Sequence, residues 1–123
     1  MKFLAALAAA LIVSIASASA HDTSRGPHGG VMADAGQRYH AELLVNGSPD
    51  ITVFLMDKND RPVSSQGYRA NAILVVNGAA QRFVLQAGDD NRLVGTAPVP
   101  VPIGVKGVVQ FTAPDGTTSQ ARF

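Results

Sequence analysis

The sequence predicts an all-β domain, either a small antiparallel β-sandwich of the immunoglobulin-like kind or a partly open barrel, with about seven or eight strands. From Val31 onwards, short apolar runs alternate with turn signals, and no window after residue 20 shows the periodicity of a helix. The turn signals include Asn-Gly and Asp-Gly pairs, which suit the positive φ angles of tight turns. The predicted strands cover residues 38–45, 51–56, 72–76, 81–85, 92–97, 105–112 and 118–123.

Alternation within the first of these strands predicts which side chains face the core. Tyr39, Ala41 and Leu43 are apolar and occupy alternate positions, so they are expected to face inward. His40 and Glu42 lie between them and are expected to point outward. We expect Glu42 to be a solvated cross-strand partner of an arginine.

The first twenty residues have the pattern of a secretory signal peptide. Lys2 provides a basic start, an apolar run follows, and Ala18-Ser19-Ala20 forms a cleavage signal. The apolar run is shorter than the roughly 20 residues that a membrane span needs. We therefore expect a signal peptide at residues 1–20, a flexible arm at 21–30 and a β domain at 31–123. This pattern predicts export to a bacterial periplasm and no membrane span in the mature chain, which would begin at His21 or alternatively at Ser19.

Composition narrows the classes of function. Ten basic residues face nine acidic ones, and losing Lys2 with the signal peptide would balance the charges. A balanced charge argues against a nucleic-acid partner. The chain has no cysteine, which excludes disulfides, thiol nucleophiles and thiolate metal sites. No serine lies in a nucleophile-elbow context and no glycine-rich phosphate loop follows a strand, so we expect a protein that is not an enzyme.

The histidines are the main chemical asymmetry of the chain. All three, at His21, His28 and His40, lie near the start of the mature domain, and Met32 lies among them. Imidazole suits copper, zinc and nickel, and thioether sulfur selects Cu(I). Cleavage before His21 would add an α-amine beside its imidazole, a chelate for Cu(II). These four residues are the predicted metal ligands, with copper as the expected ion. The alternative for His21 is that cleavage merely falls before a histidine, and the alternative for His28 is an ordinary loop histidine.

One strand pairing would bring these ligands together. If residues 31–33 pair with 38–41 across a three-residue loop, Met32 lies opposite His40. His28, Met32, His40 and Glu42 would then share the outer face of the sheet. A slip of one residue would separate them, so the predicted site depends on this register.

Two segments carry a resemblance to a known group of proteins. Gly-Pro-His-Gly-Gly at residues 26–30 and Tyr-His-Ala-Glu-Leu at 39–43 resemble small exported bacterial proteins found with heavy-metal and copper resistance systems. The first segment is also similar to the start of some periplasmic adaptor subunits of heavy-metal efflux pumps. The resemblance implies a periplasmic β-sandwich that handles metal ions, with His28 and His40 at the matching positions and a heavy-metal efflux component as a candidate partner.

Two functions of different classes follow. The first is a periplasmic copper-binding carrier, buffer or accessory protein of heavy-metal homeostasis. The alternative is a β-sandwich interaction module without metal, which docks on an envelope or efflux-pump protein through an edge strand. Metal titration of the mature protein separates the two.

Overall fold

The described part of the chain, residues 25–123 of a computed structural model, is all-β. Eight antiparallel strands close into a barrel, so of the predicted architectures the barrel is the one observed, and it is closed. Within residues 25–123, the structure has no helix that is long and apolar enough to cross a membrane. The strands are β1 (Val31–Ala35), β2 (Tyr39–Leu44), β3 (Asp50–Asp57), β4 (Arg69–Val76), β5 (Ala79–Ala87), β6 (Arg92–Thr96), β7 (Lys106–Thr112) and β8 (Thr118–Arg122).

The barrel consists of two four-stranded halves that meet along two short seams. Around the barrel the order is β1-β2-β3-β6-β5-β4-β7-β8. β5 and β6 pair only at Gln86 with Val94 and at Ala87 with Leu93. β8 returns to β1 through a single pair, Ala35 with Ala121.

The interior is filled by the side chains that alternation assigns to it. Ala41 and Leu43 are buried in the core cluster, and Tyr39 packs against it, which confirms the predicted inward face of β2. The largest interior side chain is Phe111 of β7, which is fully buried. Burying aliphatic and aromatic groups stabilises the fold without disulfides, by about 25 cal/mol for each Å² of apolar surface removed from water.

The turns follow the glycine signals. Asn77 and Gly78 join β4 to β5 with φ angles of 51° and 78°, the two positive values that a tight hairpin requires. Residues 97–105 lead from β6 to β7 and contain the alternating prolines, which cannot donate ladder hydrogen bonds. Val101 in this crossing is fully buried and its N–H donates to the carbonyl of Ser48 at 3.2 Å. This segment therefore packs Val101 into the core although it does not form a strand.

Two tyrosines meet at the side of the core. The hydroxyls of Tyr39 and Tyr68 are 2.9 Å apart, and both rings lie beside Phe111. Burial, together with the hydrogen bond to Tyr39, raises the pKa of Tyr68 to about 12. The neutral phenol is thus favoured in the folded protein, and the stability this adds is complete below the usual tyrosine pKa of about 10 and disappears as the pH rises towards 12.

This pair allows a direct titration. Tyr39→Phe leaves Tyr68 as the sole tyrosine and removes its hydroxyl partner. We expect the pKa of Tyr68 to fall in this variant and still to exceed about 10, because burial is the larger cause of the shift. Phenolate absorbance against pH measures it. A pKa at the value of a free tyrosine in the variant would contradict the burial of Tyr68.

Candidate metal site

The outer surface of β1, β2 and β3 carries two rows of side chains that cross the three strands. The antiparallel register of the strands determines which side chains form each row. The two rows are separated by two residues along β2, which is about 6.8 Å. The first row is Met32, Glu42 and Phe54, and the second is Asp34, His40 and Met56. The predicted common face of Met32, His40 and Glu42 is thus confirmed.

The predicted register within this face is wrong. Met32 pairs with Glu42, not with His40, and the partner of His40 on β1 is Asp34. β1 extends to Ala35 before turning, because Gly36 adopts a φ of 62° and starts the turn later than expected. The pairing is displaced by an even number of residues, so the same side chains stay on the same face with different neighbours.

The segment preceding β1, predicted to be a flexible arm, folds back onto β2 at residues 25–30. Arg25 forms a β-bridge with Val31. The N–H of Gly26 donates to the carbonyl of Gly30 at 2.9 Å, and the N–H of Gly29 donates to the carbonyl of Gly26 at 3.0 Å. We call residues 25–30 the arm turn. These hydrogen bonds, together with the Glu42 side chain beneath the turn, hold it in this conformation.

The predicted solvent exposure of Glu42 is wrong. The glutamate is fully buried under the arm turn, and no arginine within residues 25–123 pairs with it. Its Oε2 accepts hydrogen bonds from the N–H groups of His28 and Gly30, each at 2.9 Å, and its Oε1 lies 2.8 Å from Nδ1 of His28. A buried carboxylate needs such donors, and the arm turn supplies all three.

His28 is fixed from two sides. Its ring stacks on Phe54 with centroids 3.6 Å apart and planes 2° from parallel, while Glu42 holds Nδ1. The guanidinium carbon of Arg92 lies 5.7 Å from the same phenylalanine ring. The His28 side chain is still 40% exposed. With Nδ1 held by a carboxylate, Nε2 is the nitrogen available to a ligand or an ion.

His40 lies between two carboxylates. Its Nδ1 is 2.7 Å from Oδ1 of Asp60, and its Nε2 is 3.1 Å from Oδ1 of Asp34. Asp60 is in the turn after β3, with a φ of 61°. Nδ1 is hydrogen-bonded to Asp60, whereas Nε2 and Asp34 lie at ion-pair distance. An ion on Nε2 would leave the contact between Nδ1 and Asp60 in place.

A surface groove of about 390 Å³ joins several of these groups. Of the predicted ligands, Met32 and His40 line this groove. His28 does not line it, although the preceding residues Gly26 and Pro27 do. His21 lies outside the described residues. Asp34 and Asp60 were not predicted as candidates. The lining residues are Arg25, Gly26, Pro27, Met32, Ala33, Asp34, His40 and Asp60.

The acidic and imidazole groups of the groove do not converge on one point. Across residues 25–123, no group of three or more His, Cys, Asp or Glu side chains is arranged to hold a metal ion. The reason at His40 is geometric, since its two nitrogens face different carboxylates on opposite sides of the ring. An ion on one nitrogen can reach only one of the two carboxylates.

The fold and groove define a small antiparallel barrel with an imidazole-bearing surface site. Comparison of the chain with protein-family models, with curated proteins and with solved structures finds no match.

Proposed function

We propose that the protein is an exported copper-binding protein of the bacterial periplasm, acting as a carrier, buffer or accessory of heavy-metal homeostasis and not as an enzyme. The observation that carries the proposal is the groove, where the imidazole of His40 and the thioether of Met32 line one surface depression. Imidazole binds copper in both oxidation states, and thioether favours Cu(I). The resemblance of the two histidine-bearing segments to proteins of metal-resistance systems supports the same function.

The exposure of the groove suits an ion that is passed on. The His40 side chain is 28% exposed, so an ion bound there stays in contact with water and with a docking partner. Such a site favours exchange over permanent burial of the ion. His28, which stacks on Phe54 of the neighbouring row and leaves Nε2 available, is a second proposed ligand, and the terminal group of His21 would be a further donor.

Copper titration tests the proposal. In the untagged exported protein, His40→Ala should weaken Cu(II) and Cu(I) binding by roughly 10- to 100-fold, because an imidazole ligand is lost. Met32→Leu preserves volume and removes the sulfur, so it should weaken Cu(I) more than Cu(II). Isothermal titration and competition with a chromogenic chelator measure both affinities.

Met56→Leu is the matched control for the thioether. Met56 is buried beside His40 on β3 and does not line the groove. The Met56→Leu variant should bind copper as the wild-type protein does. His28→Ala is a poor single test, since it also removes a hydrogen bond from the buried Glu42. Unchanged copper affinity in His40→Ala would place the site outside the groove, and no copper binding by the wild-type protein would refute the proposal.

That refutation would favour the second candidate function, docking of a partner protein without metal. The observation behind it is the outer edge of β5, which pairs with β4 from Ala79 to Gln86 but with β6 only at Gln86 and Ala87. Val84 on this strand is 55% exposed. An open strand edge can accept a strand from a partner. Pull-down with envelope proteins, comparing wild type with Val84→Lys, tests it.

A further inference from the structure

We infer that the ion binds between Nε2 of His40 and a carboxylate oxygen of Asp34, and that Asp60 is a positioning residue that holds the imidazole for this contact. The inference rests on the proposed metal-binding function. It adds two acidic residues, Asp34 and Asp60, that the sequence pattern does not single out. It also specifies the preferred ion as a borderline divalent cation, Cu(II) or Zn(II).

The separation of the two ligand atoms fits a shared ion. Nε2 of His40 and Oδ1 of Asp34 are 3.1 Å apart. Metal bonds to imidazole nitrogen and carboxylate oxygen are about 2.0–2.2 Å long, which places two adjacent ligands on one ion about 2.8–3.6 Å apart for right-angled to tetrahedral geometry. An ion could therefore join these two atoms with little movement of either strand, because Asp34 and His40 are already register partners.

Asp60 supplies the contact that orients the ring. It lies 2.7 Å from Nδ1 of His40, on the side of the ring away from Nε2. A metal-binding histidine commonly donates its other N–H to a carboxylate, which fixes the ring orientation and leaves the opposite nitrogen free for the ion. Asp60 touches the ring and not the ion, so it acts through His40.

The donor set and charge select the ion. One imidazole and one carboxylate are nitrogen and oxygen ligands, which suit Cu(II) and Zn(II) better than Cu(I). The carboxylates on both sides of His40 add negative charge that favours a dication. Arg25 lines the same groove, and its positive charge opposes the ion. Removing that charge should therefore strengthen binding.

The experiment measures Cu(II) and Zn(II) affinity of the untagged exported protein by titration, with electron paramagnetic resonance of the Cu(II) form. Asp34→Asn should lower both affinities at least 10-fold and change the Cu(II) spectrum, because a carboxylate ligand is lost. Asp60→Gly keeps the positive φ and deletes the acceptor, so it should lower affinity about 10-fold. Asp60→Asn retains an oxygen acceptor and should recover most of the affinity. Arg25→Gln should raise the affinity for both ions about 3-fold.

Asp50→Asn is the matched control, an exposed aspartate at the start of β3 outside the groove, and should bind as wild type does. Wild-type affinity and spectrum in Asp34→Asn, with binding lost in His40→Ala, would overturn the assignment of Asp34 and leave the proposed function standing. Equal loss in Asp60→Asn and Asp60→Gly would overturn the positioning role. Wild-type affinity in His40→Ala would overturn the whole assigned site, and only a wild-type protein that binds neither ion would refute the proposed function itself.

Discussion

Glu42→Ala is expected to lower the free energy of unfolding by about 3 kcal/mol. Glu42 is fully buried and accepts hydrogen bonds from the N–H groups of His28 and Gly30 and from the His28 ring. Alanine leaves these donors without their acceptor and opens a cavity beneath the arm turn. Each unsatisfied buried donor costs about 1–3 kcal/mol, partly relieved where water can enter. Urea unfolding of the protein, followed by circular dichroism, measures the change.

Two further variants separate the roles of charge and of hydrogen bonding at this position. Glu42→Gln retains one carbonyl acceptor but turns an N–H₂ group towards donors, so its loss should be smaller than that of alanine and still exceed about 1 kcal/mol. Asp50→Asn, an exposed acid, should change the free energy of unfolding by less than about 0.5 kcal/mol. If Glu42→Ala were as stable as the Asp50 variant, the buried carboxylate would not hold the arm turn.

The all-β class and the inner faces follow from the sequence because a single regularity governs both. Alternating side chains face opposite sides of a strand, so the apolar set of β2 identifies the core side without knowledge of neighbouring strands. Whether the sheets close is a different question. The closure depends on two seams of one and two residue pairs, which no local pattern encodes.

A run of consecutive apolar residues in β3 indicates that part of the outer face is buried, which alternation alone does not predict. Phe54, Leu55 and Met56 are consecutive apolar residues, and all three are buried although only Leu55 belongs to the interior cluster. A strand with apolar residues on both sides is covered on both sides. This apolar run therefore indicates a segment that covers the outside of β3, and the outward Glu42 of the adjacent strand is buried with it.

The candidate site was only partly predictable for a similar reason. His40 and Met32 stand out by residue type and were placed on the correct face. Asp34 depends on the exact pairing register, which Gly36 changes by delaying the turn. Asp60 lies twenty residues from His40 along the chain and reaches it only because β2 and β3 are neighbours. Contacts that require a register or a strand neighbour are not visible in a short window of sequence.

Gly30→Ala is expected to destabilise the protein by about 2–3 kcal/mol through overpacking. A Cβ on Gly30 would overlap the backbone carbonyl oxygen of Leu43 and lie 2.9 Å from Cγ of Glu42. The carbonyl belongs to β2 and cannot move without disturbing the sheet, so the arm turn must lift instead. Lifting it would remove the hydrogen bonds to Glu42. The free energy of unfolding from urea denaturation measures the loss, and the nuclear magnetic resonance signals of the His28 ring report whether the stack on Phe54 is broken.

Two other glycines give this prediction its controls, because they separate lack of space from backbone conformation. Gly29 has a φ of 80° and open space around its Cβ position, so Gly29→Ala should cost about 1–2 kcal/mol from backbone strain alone. Gly88 would place its Cβ in ordinary contact with Val94 at 3.4 Å, so Gly88→Ala should be close to neutral. The expected order of destabilisation is Gly30→Ala, then Gly29→Ala, then Gly88→Ala. Only the first should also move the His28 ring signals, because of these three glycines only Gly30 packs directly against β2. A Gly30→Ala protein with wild-type stability and unchanged His28 signals would show that this close approach is not what holds the histidine on Phe54.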